Sequence, residues 1–445
     1  MNSKKMKNTI DKLEVKSFAR EVLEFIDEAA TTYHVTNQCS DILDENGFER
    51  LEPTSHWELK KGGKYYVKKT NTTVTAFTIP KNLDLSKGFK IFGCHTDSPS
   101  IRIKPNPELL TNNMLRLNTE VYGGALLSTW FDRALGIAGR IILKTKNVFK
   151  PKTLCIKLEK PVVVIPNLAI HQNRTANDGV KIDRQRDLLP IISLVNCHLE
   201  KENYLLNLIA SSQGINVDDI LDFDLALYPL EKGALVGINE DMMHSTKMDN
   251  LLSVYTGLIG LVESKMDSGK INVYVAFDNE EIGSSTKQGA DSNYLTNILE
   301  RIAYGLGLTR VNYLEMLSSS FMLSSDTGHV AHPSHPNKAD ITNQCEMNKG
   351  IAIKLSVNQK YTSDGYSMAI IKHLVEGTDI KLQYFVNNSN EPGGTTIGPL
   401  SARHLDIDSV DIGIPILSMH SIKELCGIYD VFYMKELTKE FFNKK

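Results

Sequence analysis

The chain predicts an α/β fold: a mainly parallel sheet flanked by helices, with a β-rich segment inserted into it. Three observations carry this expectation. Strand and helix signals alternate towards both ends of the chain, the pattern of a sheet covered by helices. Residues 99–235 are instead rich in alternating and β-branched runs. Finally, the apolar run Ile271–Ala276 leads into Phe277-Asp278-Asn279-Glu280-Glu281, so a strand brings two adjacent carboxylates to one edge of the sheet.

Phe18, Val22, Phe25, Ile26 and Ala29 recur at helical spacing and predict an amphipathic opening helix. Phe89–Gly93 reads as a buried strand ending at His95. Ile101–Lys104, Met114–Tyr122 and Leu154–Ile165 supply the strands of the β-rich segment. Helical spacing returns at Leu252, Tyr255, Ile259 and Val262, just after Asp249, and again over Asn293–Tyr304. Tyr366–Val375 reads as a helix, Ile380–Val386 as a strand, and the Gly/Pro-rich stretch Glu391–Pro399 as a loop. Ser421 and Glu424 have the spacing of a capping box, which predicts that the final helix starts beside His420. The expected division is a catalytic domain from 1–98 and 236–445, interrupted by an inserted domain at 99–235.

At 445 residues the chain has room for a substantial core. Its 41% hydrophobic and 23% charged content is that of an ordinary globular protein. A net charge of −3 offers no global field for nucleic acid or an anionic membrane, so neither is expected as a partner. Met1–Lys16 is polar, without the apolar stretch of a signal peptide, and no apolar run is long enough to span a bilayer. Cys39, Cys94, Cys155, Cys197, Cys345 and Cys426 are scattered without a CxxC pair. That spacing argues against a cysteine zinc site and a disulfide framework, and a reducing cytoplasm is the expected setting.

Metal-type ligands stand at the ends of several expected elements: His95-Thr96-Asp97 after a strand, Asp249 before a helix, Glu280-Glu281, Asp326 in Ser324-Ser325-Asp326, and His420. Taken singly, each is more often a cap or a surface residue. Together, two histidines and three carboxylates suit a pair of zinc or manganese ions, with one carboxylate bridging. Successive side chains on an extended backbone point to opposite sides, so Glu280 and Glu281 are expected to divide their work, one holding metal and one acting as general base. Residues two apart share a side, which lets Asp97 orient the His95 ring. That combination points to metal-assisted hydrolysis.

The motifs that carry this reading also carry a resemblance. Gly93-Cys94-His95-Thr96-Asp97-Ser98-Pro99, Tyr122-Gly123-Gly124, Ser128-Thr129-Trp130-Phe131-Asp132-Arg133 and Met248-Asp249-Asn250-Leu251 are followed by Phe277–Gly283 and by Ser325-Asp326 with His329 and His332-Pro333. Gly394–Pro399, Asp411-Ile412-Gly413 and Met419-His420-Ser421-Ile422 complete the series. In this order, across nearly the whole chain, the sequence resembles the M18 metallo-aminopeptidases, the aspartyl aminopeptidases.

The resemblance implies a zinc-exopeptidase type of fold with an inserted dimerisation domain. It implies one metal ion on His95, Asp249 and Asp326, and a second on Asp249, Glu281 and His420, zinc by first expectation, with manganese and cobalt also able to use these ligands. Glu280 becomes the general base that passes a proton from water to the leaving amine, and Asp97 keeps its orienting role. His171 matches a histidine that reaches a neighbouring subunit's active site. Lys354 matches a lysine near the substrate pocket, which makes it the candidate cation for a substrate carboxylate. Peptides beginning with Asp or Glu are the implied substrates, and dimers built into a tetrahedral dodecamer the implied assembly.

Some residues depart from the usual family pattern. Ala125 follows Gly123-Gly124 where a third glycine is common, Ala134 replaces an aspartate, and Lys247 replaces an arginine before Asp249. No departure touches a ligand or the base, so hydrolysis is the firmer expectation and acidic specificity the softer one. The alternatives are the same mechanism with a neutral preference, a related two-metal carboxypeptidase or amide deacylase, and a catalytically silent assembly protein. The presence of Glu280 beside a full ligand set argues against the last. His329, His332 and His335 could suggest another zinc site, but Pro333 and Pro336 break the helix that would align them, and His329 and His332 are assigned to the surroundings of the site.

Overall fold

Four parallel strands form the middle of a nine-stranded sheet: Ile271–Phe277, Phe89–His95, Phe321–Ser325 and Asp408–Gly413, neighbours in that order. The computed structural model describes residues 10–195 and 203–445. On one flank the antiparallel strands Thr73–Thr78 and Lys64–Lys69 lead to the short edge Glu49–Arg50. On the other, Ile351–Leu355 runs antiparallel to Asp408–Gly413 and parallel to Leu382–Val386.

The central strands are apolar runs because both of their faces are covered. In Ile271–Phe277, Tyr274 and Ala276 join the core that contains residues of the helices Lys12–Glu28, Met248–Val262 and Ile428–Asn443. Val273, Val275 and Phe277 join the core that contains residues of Tyr294–Gly305 and Arg310–Ser318. Each such large side chain contributes about 1.5–3 kcal/mol on burial. Gly257 has a packing reason: a Cβ there would stand 2.2 Å from the Phe92 ring, so only glycine lets its helix sit this close to the sheet.

A separate six-stranded antiparallel sheet is formed by Lys152–Val163, Leu135–Leu143, Ile220–Pro229, Ser100–Thr111, Met114–Tyr122 and Ile191–Leu194, in that spatial order. All of it falls inside the segment that reads as β-rich, and Ile101, Leu117, Ile137 and Leu225 build its own core. The helix Tyr204–Gln213, which the strand-rich reading does not anticipate, packs Leu205 and Ile209 into that core. A third sheet of five short strands includes Met242–Ser245, Glu424–Gly427 and Pro415–Leu417.

Two expectations are corrected. The final helix runs from Ile428 to Asn443, and Glu424 opens a strand instead of closing a capping box. Its carboxylate is buried and turned to other backbone groups, described below. The Gly/Pro-rich loop ends at Thr396, because a helix already begins at Ile397. Cys39, Cys94, Cys155, Cys345 and Cys426 are free thiols, while Cys197 lies outside the described residues. Among the described residues no helix is long and apolar enough to cross a membrane.

Candidate metal centre

The parallel strands all end at the same edge, and their carboxyl ends deliver the polar cluster there, where open α/β sheets bind ligands. His95 is the last residue of its strand, paired in register with Phe277. Asp326 directly follows Phe321–Ser325. Asp249 enters from the start of the helix Met248–Val262, and His420 from the turn after Pro415–Leu417.

Glu280 and Glu281 do diverge, but not as members of an extended strand. Asn279 takes a left-handed conformation (φ 66°), and Glu280–Ile282 form a single 3₁₀ turn that separates the two side chains. Glu280 Oε2 lies 3.9 Å from His95 Nε2, whereas Glu281 Oε2 lies 3.3 Å from His420 Nε2. Asp249 faces both histidines, with Oδ1 at 3.5 Å from His95 Nε2 and Oδ2 at 3.2 Å from His420 Nε2. Asp326 Oδ1 stands 3.4 Å from His95 Nε2.

His95, Asp249 and Glu281 each offer a donor atom within 4.8 Å of the others. Three buried atoms of this group, His95 Nε2, Asp249 Oδ1 and Glu281 Oε1, have no hydrogen-bond partner. Buried polar atoms are ordinarily paired, so a cluster of orphans aimed at one another fits a cation.

The electrostatics agree. Burial disfavours a charged His95 ring, but Asp249, Asp326 and Asp97 raise its pKa well above the usual value. Burial also works against the Asp249 carboxylate, and His420 and His95 outweigh it, holding its pKa well below the ordinary range. Burial pushes Glu280 up to about 8, helped by Asp326, Asp249 and Asp97 and opposed by His95. Glu281 is raised too, by burial and then by Asp249. The carboxylates here outnumber the nearby Lys354 ammonium, and a divalent cation would offset the excess negative charge.

The surrounding contacts hold these groups in place. His95 Nδ1 meets the Asp97 backbone oxygen at 3.0 Å, leaving Nε2 turned to the cluster. The Asp97 carboxylate accepts the backbone N–H groups of Glu280 and Glu281 at 3.0 and 3.1 Å, and the Tyr122 hydroxyl at 2.7 Å. His420 Nδ1 lies 3.2 Å from the Gly124 carbonyl oxygen. Ser98 donates to the Asp249 carbonyl at 2.7 Å.

Lys354 is buried with its ammonium turned to Asp326: 3.5 Å from Oδ2, donating to the Asp326 and Thr327 carbonyls at 3.3 and 2.8 Å, over the Tyr361 ring. His171 sits in an exposed turn of the inserted segment, and among the described residues no hydrogen bond or ion pair joins it to the cluster of its own chain. The His332 and His335 rings stand 5.1 Å apart in an exposed loop.

Sequence reasoning missed Glu424. One of its oxygens accepts the His420 N–H at 2.7 Å and the other the Asp249 N–H at 3.0 Å. Burial, then the Asp249 charge, pushes its pKa up to about 8. The spacing from His420 was visible, but a capping box and a buried carboxylate bonded to backbone N–H groups look alike in sequence.

Comparison with known proteins gives the family. The family model described as aminopeptidase I zinc metalloprotease (M18) matches residues 25–442. A probable M18 family aminopeptidase 2 of Clostridium novyi is 47% identical over 439 residues, covering 98% of this chain and all of that protein. One from Pseudomonas putida is 37% identical over 426 residues, covering 95% of this chain and 97% of its own length. Among solved structures, a chain of the Ape4–Nbr1 complex superimposes with a TM-score of 0.93 at 32% identity, covering 98% of this chain and 87% of that one. Yeast mApe1, solved as a dodecamer, gives 0.84 at 28% identity, covering 96% and 97%. The chain belongs to the M18 family and is a zinc metalloprotease of the aminopeptidase type.

Proposed function

We propose that this aminopeptidase works with two divalent ions and releases N-terminal residues from peptides, preferring Asp and Glu. The observation that carries the reading is the two-sided placement of Asp249 between His95 and His420, with unpartnered buried atoms on both sides of the cluster. His95, Asp249 and Asp326 would hold one ion, and Asp249, Glu281 and His420 the other. Zinc is the first choice from the family, and manganese or cobalt suits the same donors. When bound, such ions acidify water and polarise the scissile carbonyl.

The chain's own residues do the rest. Glu280, directed to the His95 side and not engaged with His420, takes the proton from the attacking water and returns it to the leaving amine. Asp97 fixes the turn that carries Glu280 and Glu281, and sets the His95 ring through its backbone oxygen. Lys354 is the cation beside the cluster and the candidate partner of a substrate carboxylate.

A second reading keeps the chemistry but assigns a neutral preference. It draws on the same lysine, whose ammonium already meets two main-chain carbonyls and Asp326. Initial rates on amides of different N-terminal residues separate the two, and an inert N-acetyl peptide excludes a deacylase. Glu280→Gln is the direct test of mechanism: metal retained, turnover reduced by about 10²–10⁴-fold. Near-normal turnover would sink the assignment.

For assembly, we propose a dimer through the inserted sheet, with His171 reaching the neighbouring active site, and dimers grouped into a dodecamer. Leu168, Ile170 and Val180, all exposed around the His171 turn, support a face covered by another subunit. The yeast relative solved as a dodecamer supports the larger assembly. The free thiols are consistent with a cytoplasmic setting.

A further inference from the structure

Tyr122 is the last residue of the strand Met114–Tyr122, and so belongs to the inserted six-stranded sheet, not to the sheet that carries the ligands. Its hydroxyl nevertheless stands at the centre of the metal cluster's support. It donates to Asp97 Oδ2 at 2.7 Å and accepts the Asn279 side-chain N–H at 2.9 Å. Asp97 holds the backbone N–H groups of Glu280 and Glu281, and Asn279 is the left-handed residue from which their turn starts. The Asn279 side-chain oxygen is in turn fixed by Thr286 and Gln288 at 2.9 and 2.8 Å. One phenol therefore ties together both anchors of the turn.

The next residues of the same segment touch the other side of the cluster. A Cβ at Gly123 (φ 73°) would meet Glu281 Cβ at 3.2 Å, which records how closely the two backbones approach. The Gly124 carbonyl faces His420 Nδ1, and the Leu126 N–H donates to the His420 carbonyl at 2.9 Å. A carbonyl can only accept, so this contact places a ring proton on Nδ1 and leaves Nε2 as the nitrogen turned to Asp249 and Glu281, the one that would ligate when the ring is neutral. Within five residues the inserted sheet braces both the glutamate turn and His420.

We infer that Tyr122 is a positioning residue for the Glu280–Glu281 turn, and that through it the inserted sheet is a structural part of the metal centre. The inference rests on the ligand and base assignments proposed above.

The test is Tyr122→Phe in the full-length protein. It removes one oxygen, leaves Asp97 Oδ2 without that donor and leaves the Asn279 amide without an acceptor. We expect zinc affinity, measured by competition with a chelator, to fall about 10–100-fold, as loss of outer contacts to metal ligands does. The cobalt-substituted protein should show an altered visible absorption band, and kcat should fall with KM unchanged. Arg102→Met is the control for the ring's stacking contact: the guanidinium stacks 3.8 Å from the Tyr122 ring centroid, and its loss removes that contact and one positive charge near Asp278 while leaving the hydroxyl contacts intact. Wild-type zinc affinity and cobalt spectrum in Tyr122→Phe would overturn the inference, as would an equal loss of zinc in Arg102→Met.

If Tyr122→Phe does not fold, Asn279→Gly breaks the same chain at its next link at a position whose positive φ suits glycine. Weakened zinc there supports the inference and unchanged zinc overturns it. Glu280→Gln, assayed alongside, separates the two levels. An active Glu280→Gln defeats the catalytic assignment, whereas an inactive Glu280→Gln with an unperturbed Tyr122→Phe defeats only the role of Tyr122.

Discussion

Glu424 holds Asp249 by its backbone: the glutamate Oε2 accepts the Asp249 N–H at 3.0 Å, across 175 residues of sequence, while Oε1 accepts the His420 N–H at 2.7 Å. One buried carboxylate thus sets the distance between a carboxylate that faces both histidines and one of those histidines. Glutamine cannot reproduce this, because its NH₂ group would confront one of the two N–H donors. Glu424→Gln should therefore lower metal affinity about 10–100-fold while the protein stays folded. Chelator competition with thermal melting alongside checks it, and wild-type affinity would show that the two backbone contacts are incidental.

The bridging assignment predicts a different signature. Asp249→Asn keeps the shape of the side chain but turns one ligand oxygen into an amide nitrogen, on either the His95 or the His420 side. Both ions should bind more weakly, and elemental analysis after dialysis should return well under two metals per chain. Full occupancy would count against a shared Asp249.

These two residues also mark how far the sequence could be read. His95, Asp249, Glu280, Glu281, Asp326 and His420 stood out because ligand-type side chains at element ends are visible as residue types in a pattern. The parallel sheet was legible for a similar reason, since apolar runs such as Ile271–Phe277 are long enough to be buried on two faces. Glu424 and Tyr122 act on backbone N–H groups and on other side chains, and nothing in their local spacing names those distant partners. The separation of Glu280 from Glu281 was expected for the wrong reason, because the left-handed Asn279 and a 3₁₀ turn produce it rather than strand alternation. The helix Tyr204–Gln213 was hidden inside a segment whose overall composition favours strands.

Lys354 makes a claim about specificity that kinetics can isolate. If its ammonium meets the substrate carboxylate, Lys354→Met should cut kcat/KM for N-terminal Asp about 10–100-fold, the size of a hydrogen bond to a charged group, and spare a neutral substrate. If its work is instead to steady Asp326, both substrates should fall together, because the carbonyl and carboxylate contacts at 2.8–3.5 Å are lost in either case. The ratio of the two rates, not either rate alone, is the measurement.

His171 gives the sharpest test of assembly. It lies in an exposed turn and has no hydrogen bond or ion pair to its own chain's cluster among the described residues, and the proposed assembly gives it a part in another subunit. Glu280→Gln and His171→Ala should each be inactive or nearly so when pure. Co-expressed, they form mixed dimers in which the His171→Ala chain keeps its own Glu280 and receives an intact His171 from its partner. Random pairing makes half of the dimers mixed, each with one complete site, so activity should recover to roughly a quarter of wild type in a two-fold dimer. If His171 served its own chain, each site in the mixture would remain defective in one of the two residues, and no activity would return. Recovery on mixing would place the histidine across the subunit boundary and make the apolar surface around Leu168 and Ile170 the contact that carries it there.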